Sequence, residues 1–369
     1  MSCFKPIMPL NGFPMIRMTV QTALDAGVQD VFVILGKEGG LVREALQGID
    51  DLAGSPTNQA PRQRVHFVEN PDFASHDMLS SIKIGLRALR GQKEQTELYR
   101  AAFVLPGDMP AISPRTFGKL REHRERVDAR VCFPLHNDQS GHPLLLGCEV
   151  FDSVLYFEGE GGLREAIAPL FPQAMDAEDA GILLDADDAE TFEMTADYVR
   201  KTRGLAPSVA DAILDDCKTL DNIRAHCKAT SLLAARMVQQ LNLLGYCLDS
   251  ELVISAAAIH DMLRLEKRHW EAAEAELLSR GYDRLAQVVG DHQRPLDPLS
   301  PRFTESSLVF LADKLVKNTT LVSVDVRYAA SFESFPETTE IGRMIRNDRL
   351  ACQILLDQYE QLTGDRIFQ

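Results

Sequence analysis

Short apolar runs alternate with amphipathic stretches through the first half of the chain. The apolar runs are VFVILG at 31–36, RVHFVE at 64–69, AAFVLPGD at 101–108, RVCFPL at 130–135 and PLLLG at 143–147. Amphipathic stretches lie between them, among them residues 15–26, SSIKIGLRAL at 80–89 and SPRTFGKLREHRER at 113–126. Strands that alternate with helices predict a parallel α/β sheet with helices on both faces.

The pattern changes after KTRGLAPS at 201–208, and the remaining chain shows no convincing strand. Helical periodicity continues instead, at 208–245, 250–266, 269–280, 282–291, 305–318 and 339–363. Gly204 and Pro207 mark the boundary between the two patterns. We therefore expect two domains: a Rossmann-like α/β domain over residues 1–203 and an all-α helical bundle over residues 204–369.

Composition and charge narrow the class of protein. The 369 residues are 45% hydrophobic and 25% charged, as in ordinary globular proteins. The formal net charge of −15 argues against duplex nucleic acid as the main partner but leaves small phosphates open. No apolar run is long enough to span a membrane, and no secretory signal is evident. Seven cysteines without a C-x-x-C pair suit a reducing cytoplasm.

Three features of the first domain predict a site for phosphates and a hard cation. LPGDMP ends a strand, and Asp108 projects from the carboxyl edge of the sheet, where α/β folds bind ligands. Asp185 and Asp187 share one side of an extended segment within ILLDADDAE. Mg²⁺ takes one or two carboxylates plus phosphates, and Lys5 is a candidate phosphate contact. Each feature alone has a structural explanation, as a strand-end turn or a solvated helix start.

Together and in this order, these motifs resemble the MobA-like NTP transferases, the molybdenum-cofactor nucleotidylyltransferase family. The matching segments are FKPIMPLNGFPMI, AGVQDVFVILG, VENPDF, DMLSSIKIGL, VLPGDMP, GHPLLL, GEGGLREAI and ILLDADDAETF. The resemblance implies a mainly parallel sheet and transfer of a nucleoside monophosphate from a Mg²⁺-bound NTP to a phosphorylated, molybdopterin-type small molecule. CTP and GTP both stay open as the nucleotide, although GHP and the helix-rich insertions favour cytidylyl transfer.

The resemblance also implies roles for individual residues. Asp108 would be a catalytic metal ligand, and Asp185 or Asp187 the second ligand. The residues implied to bind the nucleotide are Lys5, catalytic at the phosphates, His142 at the acceptor side, and Asn70, Ser80 and Ser81 in the pocket. A molybdenum enzyme that receives the finished cofactor would be a possible client.

The chain begins with MSCFKPIMPLNG, where members of that family carry a first strand and an L-A-A-G-x-S-x-R-M loop before F-K-P. Either the true start lies upstream of Met1 or the domain has lost this loop, and we favour the first explanation. The loop would supply the backbone N–H groups that cradle a triphosphate. From a chain that starts at Met1 we therefore expect weak NTP binding and little nucleotidyl transfer.

Histidine and aspartate residues recur on the predicted helices of the second domain. In order they are His226 in IRAHCKATSLLAARM, His260 and Asp261 in AAAIHDMLRLE, His269 in EKRHWEAAEAELLSRGY, His292 in VVGDHQ, and Asp313 in VFLADKLVK. A single histidine on an apolar helix is usually a satisfied core residue. The set is harder to explain in that way, because Asp261 and Asp313 follow apolar runs and a buried carboxylate is costly unless it is paired or binds metal.

The order H…HD…D across residues 208–330 resembles the HD-domain metal-dependent phosphohydrolases. The resemblance implies that His226, His260, Asp261 and Asp313 bind Mn²⁺, Fe²⁺ or another divalent metal, with Asp261 also catalytic. His269 and His292 match the extra histidines of the binuclear subgroup, in which Asp261 bridges two metals. The alternative for these two histidines is a role behind the ligands or at the substrate phosphate. Imidazole with carboxylate suits Fe, Mn, Zn or Co better than Ca.

We therefore predict a bifunctional cytoplasmic enzyme. Its first domain transfers a nucleotidyl group to a phosphorylated small molecule, and its second hydrolyses a phosphoester. Two alternatives stay open. In one, the chain is only an HD phosphohydrolase and the first domain is a nucleotide-binding regulatory module. In the other, the chain is a non-catalytic scaffold that delivers a cofactor to a partner enzyme.

Overall fold

The computed structural model of the chain describes residues 4–49, 64–73, 78–91, 99–294, 296–336 and 338–368. The described residues form two compact units, of which the first ends at Ala196 and the second begins at Asp197. Each unit is described by itself below. The functional boundary placed between residues 203 and 204 stays a prediction.

The first unit contains nine described strands and six helices. The strands are β1 (Pro9–Leu10), β2 (Phe13–Pro14), β3 (Asp30–Leu35), β4 (Arg64–Glu69), β5 (Ala101–Val104), β6 (Val131–His136), β7 (Gln139–Ser140), β8 (Leu144–Gly147) and β9 (Gln173–Asp176). The helices are α1 (Met15–Asp25), α2 (Gly39–Ala45), α3 (Met78–Gly91), α4 (Pro114–Val127), α5 (Phe151–Leu155) and α6 (Gly162–Ile167). A further helix, α7 (Ala189–Thr202), spans the division between the units.

The strand pairing in the first unit is mixed rather than mainly parallel. β3 and β4 pair in parallel. The larger sheet has the order β5-β8-β6-β7, and β9 also pairs with β6. β8 runs antiparallel to both β5 and β6, whereas β9 is parallel to β6. The expectation of a mainly parallel sheet is therefore corrected to an α/β domain with a mixed sheet.

A tight turn accounts for the reversal. β6 and β7 form a hairpin in which His136 pairs with Gln139, so only two residues connect the strands. Those residues, Asn137 and Asp138, both have positive φ angles, 48° and 63°. This is the backbone of a type I′ turn, which asparagine and aspartate tolerate better than most residues. The chain therefore turns back, and Leu144 begins the antiparallel β8 without a crossover helix.

The first residues of SPRTFGKLREHRER explain why α4 begins where it does. The Ser113 hydroxyl accepts a hydrogen bond from the Arg115 N–H at 3.3 Å, and Pro114 occupies the first helical turn. Phe117 and Leu120 on the same helix are fully buried. The polar cap and the apolar face together fix where this helix begins and which side it buries.

The second unit is helical. Its helices after α7 are α8 (Pro207–Asp216), α9 (Asp221–Leu243), α10 (Ser250–Ile259), α11 (His269–Ser279), α12 (Asp283–Asp291), α13 (Glu305–Leu315), α14 (Val324–Ser334) and α15 (Glu340–Thr363). A hairpin of β10 (Val316–Lys317) and β11 (Thr320–Leu321) follows α13 directly. One apolar core, drawn mainly from α9, α10, α12 and α13, holds the bundle together. None of the helices in the described ranges combines the length and apolar character needed to cross a membrane.

Four details of the bundle differ from the sequence prediction, and the first is that the helix expected over 250–266 ends at Ile259, directly before His260. The helix expected over 208–245 is divided into α8 and α9, because Lys218 takes a left-handed backbone (φ 52°). The Thr219 hydroxyl next to it donates to the Met262 carbonyl at 2.9 Å, a tertiary contact that local periodicity does not reveal. The helix expected over 305–318 ends at Leu315, where the β10–β11 hairpin begins, and α14 was not predicted.

Gly204 generates a stability prediction. It is buried, and a Cβ added there would lie 2.3 Å from the Glu251 carbonyl carbon and oxygen and 2.5 Å from the Leu252 nitrogen. Because these are backbone atoms of α10, they cannot move aside as a flexible side chain could. We expect Gly204→Ala to lower the free energy of unfolding by about 1–3 kcal/mol, measured by urea denaturation.

Gly40→Ala is the matched control for this measurement. Gly40 lies in α2, and a Cβ there has no neighbour within 4 Å. Alanine in an exposed helix should stabilise by up to about 1 kcal/mol. Equal stability of the Gly204→Ala variant and the parent would show that the contact with α10 yields without cost.

Candidate functional sites

Six histidine and aspartate side chains meet at the ends of four helices and in the second turn of a fifth. We call them the helical cluster, and its members are His226, His260, Asp261, His269, His292 and Asp313. Their ligand atoms form overlapping groups of three in which all atoms lie within 4.8 Å of one another. The structure thus brings together all the metal-binding candidates named in the second half of the sequence.

The chain positions the cluster with regular elements. His226 lies on α9, and Asp313 lies on the last turns of α13. His260 is the C-terminal cap of α10, so Asp261 follows in the turn, and His292 caps α12 in the same way. His260 and His292 are fully buried, and both aspartates are nearly so.

Backbone carbonyls orient three of the imidazoles. Nδ1 of His260 donates to the Ala257 carbonyl at 2.8 Å, and Nδ1 of His226 donates to the Asn318 carbonyl at 3.0 Å. Nδ1 of His292 likewise donates to the carbonyl of Val289. Because a carbonyl only accepts, Nδ1 carries the hydrogen in each ring, and Nε2 is left to face the cluster.

Two of these Nε2 atoms have no hydrogen-bond partner among the described residues, those of His260 and His292, although both are buried. A buried polar atom without a partner is costly and calls for an explanation such as an ion. Burial lowers the pKa of His292 to about 3, so its ring is neutral and its Nε2 lone pair is available at neutral pH. The donor set therefore fits a divalent transition metal.

The two carboxylates divide their oxygens between different partners. Oδ1 of Asp313 lies 3.2 Å from His226 Nε2 and 3.6 Å from His260 Nε2. Its Oδ2 accepts from the Lys314 ammonium at 2.8 Å. Asp261 shows the same division: Oδ2 lies 3.9 Å and 3.7 Å from the same two histidine nitrogens, and Oδ1 lies 3.1 Å from His269 Nε2.

The two buried carboxylates of the cluster stay ionised because positive charge lies next to them. Burial alone would raise the pKa of Asp313, but Lys314 and His226 outweigh it and hold that pKa well below the usual range. Burial would also raise the pKa of Asp261, but His269 and His260 outweigh burial and lower that pKa. Burial lowers the pKa of His260, yet nearby Cys227 and Asp313 raise it well above the ordinary value. Two buried carboxylates thus favour either a protonated histidine or a bound cation.

Sequence reasoning missed the arginines of the cluster. Nη1 of Arg264 lies 2.8 Å from His269 Nε2 and 3.3 Å from Asp261 Oδ1. Nη2 of Arg327 lies 3.3 Å from Asp313 Oδ1. The spacing of Arg264, three residues after Asp261, was an available signal, whereas Arg327 comes from the unpredicted α14.

The first unit packs the GHP motif against the acidic segment. The His142 N–H donates to the Ile182 carbonyl at 3.1 Å, and a Cβ on Gly141 would lie 2.4 Å from the same oxygen. Only glycine therefore allows this close approach. Burial lowers the pKa of His142, while the charges of Asp108 and Asp185 act to raise it, so these three residues are neighbours.

Carboxylates gather at this point of the first unit. Burial raises the pKa of Asp185, and the charges of Asp187 and Asp108 raise it further. Asp108 lies in the turn that follows β5, and Asp187 is 73% exposed. The Lys5 ammonium donates to the Asp187 carbonyl and lies 3.4 Å from its Oδ1. Carboxylates that disfavour one another's charge, next to a lysine, fit a hard cation that arrives with phosphates.

The proposed nucleotide-pocket residues lie directly after β4 and in the first turn of α3. Asn70 is buried, and its amide donates to the Ser81 hydroxyl at 3.0 Å. Its side-chain oxygen accepts from the Asp72 N–H at 3.1 Å, which fixes the turn after β4. Ser80 is adjacent on α3. Contact of Asn70, Ser80 and Ser81 with a nucleotide stays a prediction.

The first unit is an α/β domain with a mixed sheet, in which Asp108 follows β5 and Asp185 follows a short 3-10 helix. Residues 1–176 match the model of the MobA-like NTP transferase domain. The resemblance drawn from the motifs of the first half is thereby confirmed. The HD-domain assignment of the second half stays a prediction.

Three individual proteins are similar to parts of the chain. The molybdenum cofactor cytidylyltransferase of Escherichia coli (strain K12) is 29% identical over 133 residues, which cover 36% of this chain and 63% of the relative. Rv0371c of Mycobacterium tuberculosis, solved in complex with manganese, has 17% identity and a TM-score of 0.38, over 53% of this chain and 92% of that one. Its homolog from Mycobacterium sp. strain JC1 has 18% identity and a TM-score of 0.41, over 54% and 90%.

Proposed function

We propose that the chain is a bifunctional cytoplasmic enzyme. The first unit transfers a nucleotidyl group, with CTP favoured over GTP, from a Mg²⁺-bound NTP to a phosphorylated molybdopterin-type acceptor. The second unit is an HD-type metal-dependent phosphohydrolase. A molybdenum enzyme that takes up the finished cofactor would be the client of the first activity.

The nucleotidyl transfer is supported by the MobA-like domain at residues 1–176 and by the named activity of the Escherichia coli relative. Asp108 and Asp185 supply the carboxylates for Mg²⁺, because their mutual repulsion is relieved by a cation. Lys5, already at the acidic segment, would neutralise the phosphates. His142 stands at the acceptor side, and Asn70, Ser80 and Ser81 hold the nucleotide.

One observation carries the hydrolase proposal: three imidazoles are fixed by backbone carbonyls so that Nε2 faces two buried carboxylates. A core built only for stability would not leave two such nitrogens without partners. The residues that would hold the metal are His226, His260, Asp261 and Asp313, with His292 at their side. A bound divalent ion would supply a Lewis acid that activates water and neutralises phosphate charge.

The chain's own groups around these ligands have distinct tasks. Lys314 is buried and holds Oδ2 of Asp313, which leaves Oδ1 directed at His226 and His260. Arg327 is 25% exposed and touches the same carboxylate from the solvent side. A guanidinium placed there can donate to a phosphate oxygen of a substrate while Asp313 remains oriented.

We expect the purified full chain to hold about one Mn, Fe, Zn or Co ion, and His260→Ala to hold almost none, by elemental analysis. Hydrolysis of bis(p-nitrophenyl) phosphate with added Mn²⁺ should be lost in parallel. Chelation should lower the melting temperature of the parent only, because metal binding contributes to folding. His123→Ala, at a half-buried position on α4 and outside the cluster, is the control. A metal-free parent without hydrolysis would refute the hydrolase.

In a chain that also carries the first strand and loop expected upstream of Met1, Asp108→Ala and Asp185→Ala should each reduce pyrophosphate release from Mg-CTP, with molybdopterin as acceptor, by about 100-fold or more. The folded state should be retained, since removal of one carboxylate relieves repulsion with the others. Asp152→Ala is the control, because Asp152 is a surface residue paired with Arg90. Transfer within threefold of the parent in both variants would contradict the assignment. Mg-CTP binding without transfer by the parent would instead support a regulatory nucleotide module.

A further inference from the structure

Arg264 places its positively charged guanidinium directly against two residues of the helical cluster. A series of tight turns follows α10, with the Arg264 N–H bonded to the Asp261 carbonyl at 2.9 Å. This turn directs the guanidinium back to the cluster, where Nη1 lies 2.8 Å from His269 Nε2 and 3.3 Å from Asp261 Oδ1. These two atoms of His269 and Asp261 lie 3.1 Å from each other.

Asp261 divides the cluster into two sides. Its Oδ2 faces His226 and His260, the side that also contains Oδ1 of Asp313. Its Oδ1 faces His269. Asp261, His269 and His292 form one of the groups whose ligand atoms lie within 4.8 Å of one another, so a second ion would be held by Oδ1 of Asp261 and Nε2 of His269, with His292 beside them. Arg264 contacts the first two of these atoms.

A second metal ion and the guanidinium exclude each other at this position. Metal bonds to nitrogen and oxygen are about 2.0–2.2 Å long, so an ion bound to both atoms would lie within about 4 Å of Arg264 Nη1. Repulsion between like charges at that distance is strong in a partly buried site. His269 and Asp261 are 13% and 7% exposed, so solvent screens this repulsion little.

We infer that the helical cluster binds one metal ion and that the Arg264 guanidinium replaces a second one. The inference rests on the proposed hydrolase function and decides its metal stoichiometry. The Arg264 side chain is 46% exposed, so it keeps N–H donors free on the solvent side. A substrate phosphate would then be held between the metal ion and a planar guanidinium, a group suited to phosphate oxygens.

The test is a Mn²⁺ titration of the full chain and of its Arg264→Met variant, followed by electron paramagnetic resonance. All proteins carry Asp108→Ala, which removes the proposed cation site of the first unit from the count. We expect about one ion per chain in the parent, with the spectrum of isolated Mn²⁺. The Arg264→Met variant should bind about two ions, with the exchange-coupled spectrum of adjacent ions.

Two further variants make the result specific. Arg268→Met removes an arginine that is 69% exposed and paired with Glu271, and it should leave one ion. Arg264→Met combined with His269→Ala should return the count to one, since the second ion then loses its nitrogen ligand. Two coupled ions in the parent, or a single ion in Arg264→Met, would overturn the inference while the hydrolase centre stands. No ion in any of the proteins would overturn both.

Discussion

The second unit depends on one electrostatic constraint: two carboxylates, Asp261 and Asp313, are buried beside the same histidines, His226 and His260. Placing a charged carboxylate inside a protein costs several kcal/mol unless cations or strong donors surround it. The bundle meets this cost with Lys314, His260 and an arginine on the solvent side of each carboxylate. The arrangement leaves the histidine nitrogens facing inward, and this is why the cluster can serve a metal ion.

Irregular features of the bundle serve the same constraint. α13 ends directly after Lys314, and the hairpin that follows places the Asn318 carbonyl on Nδ1 of His226. Asn318 itself has a left-handed backbone, with φ 57°, which asparagine accepts more readily than most residues. The break between α8 and α9 brings Thr219 onto the Met262 carbonyl, next to Asp261. The hairpin and the helix break, which interrupt the helical pattern, thus supply contacts that hold His226 and the residue after Asp261 in place.

The difference between local chemistry and tertiary contacts explains which features could be predicted from the sequence. Apolar periodicity located α10 and α13, and the aspartates that end their apolar runs were recognised because a buried carboxylate needs a partner. The antiparallel return of β8 was not recognised, since Asn137 and Asp138 form a turn only because the strands on either side pair. Arg264 was not recognised either, because the pattern placed it in a helix over 250–266, and its contact with His269 depends on where α10 ends and α11 begins. Local chemistry is visible in the sequence, whereas partners chosen by tertiary packing are not.

The two candidate sites differ in how strongly they require their cations. In the first unit, Asp185 is half-buried and Asp187 is exposed, so water can solvate these carboxylates whether or not an ion is present. A cation there contributes little to the fold and can arrive and leave with a phosphate-bearing nucleotide, as Mg²⁺ commonly does. In the helical cluster, water has little access, and Nε2 of His260 and of His292 has no hydrogen-bond partner among the described residues. An ion bound there is part of the folded structure, so the proposed hydrolase would keep its metal between turnovers while the proposed transferase exchanges its own.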